Sequence, residues 1–295
     1  MPQDHSRSPA AAAVQASGLP RRSAIRYVAA LREGGSLPAL MEMEDQSLWV
    51  VKFRGAGQGP RALVAELVVG GLARTLGLPV PDLALVSLAE GAEQFNRHDE
   101  IRDLLRASVG LNVGLAHLDG AFNFELIAAV DLVPPELAAA VVWLDALTLN
   151  IDRTARNPNI MIWRRQPWLI DHGAALYFHH RWEQVSPESP LRPFAPIVDH
   201  VLLPLAGDIL QADARLAPLL NLARLRDVLD TVPDELLSPA IDVAAPAFAT
   251  PAANREAYVA YLQARLTGPR AFALEAERLR LALAAVPVAQ LSHRR

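Results

Sequence analysis

The chain has 295 residues, 52% hydrophobic and 20% charged, with a formal net charge of −4, the composition of a globular protein with one large core or two modest ones. It has no cysteine, which excludes disulfides, thiolate metal sites and cysteine nucleophiles, and its slight acidity offers no basic face for nucleic acid. No apolar run reaches the roughly 18 residues that a membrane-spanning helix needs, so the expected address is the cytoplasm, away from the membrane.

Residues 1–22 are rich in Ala, Ser and Pro without a basic-then-apolar signal pattern, and are expected as a disordered leader. Strands are expected over 24–30, 39–44 and 48–53, with a turn at Gly34-Gly35-Ser36. A glycine-rich loop over 54–60 leads into a helix over 62–76, stopped by Gly77 and the prolines at 79 and 81. Another strand covers 83–88. Residues 23–92 thus read as a small antiparallel sheet with one helix, the build of an N-terminal nucleotide-binding lobe.

Residues 93–295 read as a mainly helical C-terminal lobe, giving an α+β fold. Pro135 opens a helix to about Leu149. Strands at 160–163 and 168–170 flank Arg164-Arg165-Gln166-Pro167 as a hairpin, and helices are expected near 199–211, 215–230 and 254–286. The stretch 110–124, mixed in polarity, has no assigned structure.

The chemistry concentrates in Asp152-Arg153-Thr154-Ala155-Arg156-Asn157-Pro158-Asn159 and in Ile170-Asp171-His172-Gly173. A hairpin returns the chain to its start, so Asn157 and Asp171 converge just outside the paired strands. Two hard oxygen ligands suit magnesium carried by nucleotide phosphates. Asp152, on the preceding loop, can orient an attacking hydroxyl or accept its proton. An Asp, an Asn five residues on, a hairpin and Asp-x-Gly form the order of kinase catalytic loops. Upstream, Lys52 lies inside an apolar strand, where an unpaired ammonium is costly, and Glu66 is the acid of the next helix. Gly35 and Ser36 are candidates to cover phosphates with backbone N–H groups.

Together with Trp49-Val50-Val51-Lys52-Phe53-Arg54-Gly55, residues 58–66 and Leu76-Gly77-Leu78-Pro79-Val80-Pro81, these segments resemble the HipA-like kinases of the protein-kinase and phosphatidylinositol-kinase superfamily, over roughly residues 24–180. The resemblance implies a bilobal protein-kinase-like fold and an ATP- and Mg2+-dependent kinase acting on a hydroxyl acceptor, protein Ser/Thr being one class. It implies that Lys52 contacts ATP phosphates, that Asp152 is the catalytic aspartate and that Asn157 and Asp171 bind magnesium. The chain departs from the pattern at Thr154, where the lipid-kinase-like motif has His, and at His172, where kinases carry Phe. The alternative is a nucleotide-binding pseudokinase that serves as an interaction module.

Three further readings complete the sequence picture. A metal hydrolase on His172, His179 and His180 is disfavoured because neighbours 179 and 180 point apart in a regular element. Arg153, Arg156, Arg164 and Arg165 read as a solvated or anion-holding basic tip. Trp163 and Trp168 read as packing residues.

Overall fold

The computed structural model describes residues 18–31, 37–95, 98–126, 130–238 and 247–285. The expected leader up to residue 17, and the turn holding Gly34, Gly35 and Ser36, lie outside the described residues.

The first strand, β1 (Arg21–Ala30), starts three residues earlier than the sequence suggests. It pairs antiparallel with β2 (Ala39–Met43), which pairs with β3 (Leu48–Lys52). After helix α1 (Gly59–Thr75) comes β4 (Leu83–Leu88), and after helix α2 (Asp99–Ala107) comes β5 (Gly110–Ala116). β5 inserts between β3 and β4, antiparallel to both. β4 then runs parallel to β1 and closes the sheet into a barrel. The sheet therefore takes in a strand beyond the expected lobe boundary at residue 92, and one of its pairings is parallel. Met41, Met43, Trp49, Val51, Phe53 and Val86 pack with Leu105 of α2 in a barrel core of their own.

α1 is buried along most of its length, from Leu63 to Gly70 and again at Leu72 and Ala73. Such a helix needs apolar residues all round rather than on one stripe. It ends as a Schellman motif: Gly77 sits at φ 72°, its N–H donates to Arg74 O, and the Leu78 N–H donates to Ala73 O.

The second half is built around α3 (Pro135–Thr148), in which every residue from Ala138 to Thr148 is buried. β6 (Phe122–Asn123), β7 (Ile160–Trp163) and β8 (Gln166–Leu169) form a small antiparallel sheet. The hairpin is tighter than expected. Arg164 and Arg165 alone make the turn, at φ 50° and 63°, as a two-residue turn that follows the strand twist requires. Short 3-10 turns occupy most of 177–205, where a helix over 199–211 was expected. The chain then adds α4 (Ile209–Leu216), α5 (Leu222–Asp230), α6 (Asp234–Leu237), α7 (Pro251–Thr267) and α8 (Ala271–Ala284). No helix among the described residues is long and apolar enough to cross a membrane.

Candidate active site

One cleft is lined by Lys52, Asp152, Asn157, Asp171 and Gly173 together with Phe53, Ala56, Gln58, Gly59 and Ala62. It lies where the barrel and α1 meet the loop after α3 and the turn after β8. Five of the seven sequence candidates fall here or against it; Gly35 and Ser36 lie outside the described residues.

Lys52 is buried at the end of β3, and its ammonium is held by two carboxylates. Its Nζ donates to Glu66 Oε2 at 2.7 Å and to Asp171 Oδ1 at 2.6 Å. Burial alone would depress its pKa, but the two acids override it and leave the pKa raised. Asp171 mirrors this: burial pushes its carboxyl up, Lys52 outweighs burial, and the net shift is downward. Its backbone stands at φ 52°, which turns the chain sharply out of β8.

Glu66 is fully buried in α1 and does a second task. Oε2, which receives Lys52, also accepts the His172 N–H at 2.8 Å, while Oε1 is buried without a partner among the described residues. A helix on the barrel side and the turn after β8 thus meet on one oxygen atom.

The loop after α3 is set from beneath. α3 ends with Leu149 in the left-handed region at φ 54°, turning Asn150 back so that Nδ2 donates to Asp145 Oδ1 at 3.0 Å. Asn150 Oδ1 accepts the Asp152 N–H at 3.1 Å. The Asp152 carboxylate then accepts Asn157 Nδ2 at 2.8 Å and Asn159 Nδ2 at 3.3 Å through the same Oδ2. Asn159 is therefore a support for Asp152.

Arg153 corrects the sequence reading most clearly. It is not part of a solvated basic tip but is 1% exposed. Nε donates to Asp145 Oδ2 at 2.6 Å, and Nη1 donates to the Ile170 carbonyl at 3.2 Å and to the Asn159 carbonyl. Nη2 reaches His172 Nδ1 at 3.1 Å. Arginine can only donate, so the neutral His172 carries its proton on Nε2. His200 Nε2 joins the same Asp145 oxygen at 2.9 Å. Burial raises the Asp145 pKa, but Arg153 and His200 reverse this and hold it well below the usual carboxylate range. Burial drives His172 the other way for a base, down to about 4, against the pull of Glu66. The signal in the sequence was Asp145, an acid inside an otherwise apolar helix.

The donor set suits a divalent cation. Asn157 uses Nδ2 on Asp152, which leaves its Oδ1 as an oxygen donor. Asp171 turns Oδ1 to Lys52 and to the Gly173 N–H at 3.4 Å, and its second oxygen is a hard ligand of the kind magnesium takes.

The adjacent histidines differ from expectation. They lie in 3-10 turns over Tyr177–Gln184 kinked at Arg181, which bring His179 Nε2 and His180 Nε2 to 3.2 Å. His179 Nδ1 meets the Tyr258 hydroxyl at 2.9 Å. No group of three or more metal-ligating side chains gathers there among the described residues. Trp163 and Trp168 stack edge to face at 5.3 Å, with the Arg164 guanidinium 4.2 Å over Trp163.

No curated protein matches the chain. Among solved structures, a Helicobacter pylori proinflammatory kinase, CtkA, matches with a TM-score of 0.50 at 13% identity, covering 86% of this chain and 95% of that one; the likeness is one of fold. Residues 25–190, more than half of the chain, match the model of the HipA-like kinases. With its barrel-and-helix lobe, its helical second half and this match, the chain belongs to the HipA-like kinase family.

Proposed function

We propose that the protein is an active ATP- and magnesium-dependent kinase that transfers the γ-phosphate to a hydroxyl acceptor. The observation that carries this is the pair of contacts on Lys52. Its ammonium, fixed between Glu66 and Asp171 at 2.7 and 2.6 Å, faces the cleft where Asp152 and Asn157 also project.

In this reading Lys52 offers its fixed charge to the nucleotide phosphates, and Glu66 keeps that charge in place. Asp152, oriented by Asn157 and Asn159, accepts the acceptor's hydroxyl proton as the oxygen attacks in line. Asn157 and Asp171 would hold magnesium, which neutralises charge on the phosphates. Most of the rate enhancement comes from positioning and charge stabilisation rather than from covalent participation of the protein.

The test is phosphate transfer from labelled ATP with magnesium into the protein itself and into a cell lysate. Asp152→Ala should lower transfer by at least about 100-fold, the scale of a lost general base, with ATP binding by calorimetry changed little. ATP binding without transfer by the wild type would identify a pseudokinase instead. Transfer unchanged in Asp152→Ala would remove the role assigned to that residue.

A further inference from the structure

A second cavity, of about 400 Å³, lies along the segment that follows Gly173. That segment crosses the end of α3, where the Leu176 N–H donates to the Thr148 carbonyl at 2.7 Å. Leu149 and Phe178 form an apolar part of the wall, and Tyr177, Arg181, Arg192 and Arg265 bring polar groups to it. Among the described residues, no aspartate or glutamate lines it.

The charge here is unusual in kind. Arg265 is 1% exposed, yet its guanidinium is met by uncharged carbonyls. Nε donates to Leu147 O and Nη2 to Ala146 O, both at 2.8 Å, while Nη1 donates to Pro190 O at 3.1 Å and Arg192 O at 3.2 Å. Burial pulls its pKa down to about 10, with Tyr261 and Tyr177 opposing, so it stays cationic at neutral pH. Capping of α3 accounts for Arg265. It does not account for Arg181 and Arg192, which are exposed on the same wall and have no carboxylate within ion-pair distance among the described residues. Glu188, whose charge reaches Arg192, is engaged by a hydrogen bond from Ser186. Arg181 stands at the non-helical kink, φ −143° and ψ 59°, between two 3-10 turns, which holds it apart from the helical run on either side.

Two exposed guanidiniums and a buried third lining one pocket with two tyrosines and an apolar wall match a phosphate monoester with an organic body. We propose that this pocket binds a phosphate-bearing ligand, its phosphate held by Arg181 and Arg192 and its body against Phe178 and Leu149. The site is separate from the nucleotide cleft and stands whether or not the protein transfers phosphate.

The probes are O-phosphoserine, a neutral peptide containing phosphoserine, and the same peptide unphosphorylated, titrated calorimetrically into the full chain. Phosphoserine should bind, and Arg181→Gln and Arg192→Gln should each weaken it about tenfold, the scale of one charge-assisted contact. Lys52→Met should leave it unchanged, and so should saturating ATP, which serves as the control if that variant does not fold. A phosphopeptide that binds more tightly than free phosphoserine identifies a protein ligand, and equal binding identifies a small phosphorylated molecule. No binding at millimolar concentration, binding that ATP displaces, or binding indifferent to both arginine changes would overturn the proposal.

Discussion

Glu66 Oε2 takes donors from Lys52 and from the His172 backbone, so its removal should be felt in two places. Glu66→Ala leaves Lys52 with Asp171 alone and the His172 N–H buried without its acceptor. Breaking a buried pair costs about 3 kcal/mol, and chemical denaturation should show a loss of that order, alongside a raised KM for ATP. A loss under about 1 kcal/mol would mean that Asp171 and water replace Glu66 fully. The charged candidates on the barrel side were legible because a lysine within an apolar strand demands a partner. Arg153 was not. Its burial is decided by Asp145 and by His172, 8 and 19 residues away, and nothing local separates it from the exposed arginines that follow.

At the scale of elements, close approach and turn chemistry give the sharpest expectations. A Cβ on Gly55 would fall 2.6 Å from Ala107 Cβ and 2.8 Å from the Ala107 carbonyl carbon, and backbone cannot yield as a flexible side chain can. Gly55→Ala should push the 53–59 loop off the end of α2. Because Phe53, Ala56 and Gly59 line the cleft, it should weaken ATP binding as well as lower Tm; unchanged values of both would contradict the contact. The hairpin runs the other way. Arg165 sits at φ 63°, a conformation costing a side-chain-bearing residue about 1 kcal/mol that glycine adopts freely. Arg165→Gly should therefore stabilise the protein by a few tenths to about 1 kcal/mol in denaturant titrations. The strands around this turn were readable from their apolar runs, and α3 from its length and opening proline. β5 was missed because Asn112 looks like a surface residue. It is buried, with Nδ2 on the Ser108 and Gly110 carbonyls and Oδ1 receiving the Arg54 N–H, contacts that only the folded sheet supplies.

At the scale of the whole molecule, three histidines among the described residues are sealed inside. His172, His179 and His200 are each 4% exposed or less, and burial lowers the pKa of all three, against the pull of Asp145 in the case of His200. The folded chain thus keeps them neutral where the unfolded chain binds protons. Their contribution to stability is complete above about pH 6.5, the ordinary histidine value. For His172 it is lost as pH falls toward its folded value of about 4, a change of about 3 kcal/mol. Unfolding free energy should therefore decline between pH 6.5 and 4; a flat profile over that range would show the histidines to be hydrated in solution. The overall division into a sheet-rich first part and a helical remainder was visible from composition along the chain. How the late helices pack was not, because amphipathic leucine-rich segments fit many neighbours equally well.

The hydrogen bond from the His172 amide to Glu66 spans 106 residues of sequence and joins the barrel's helix to the opposite wall of the cleft. Parting those walls uncovers that amide, while closing them around a nucleotide shields it. One backbone proton thus works as a built-in gauge: its rate of replacement by deuterium reads out how often the cleft gapes, with no dye or label attached. ATP should slow that exchange at His172 far more than at amides within α3, whose protection follows unfolding of the whole chain.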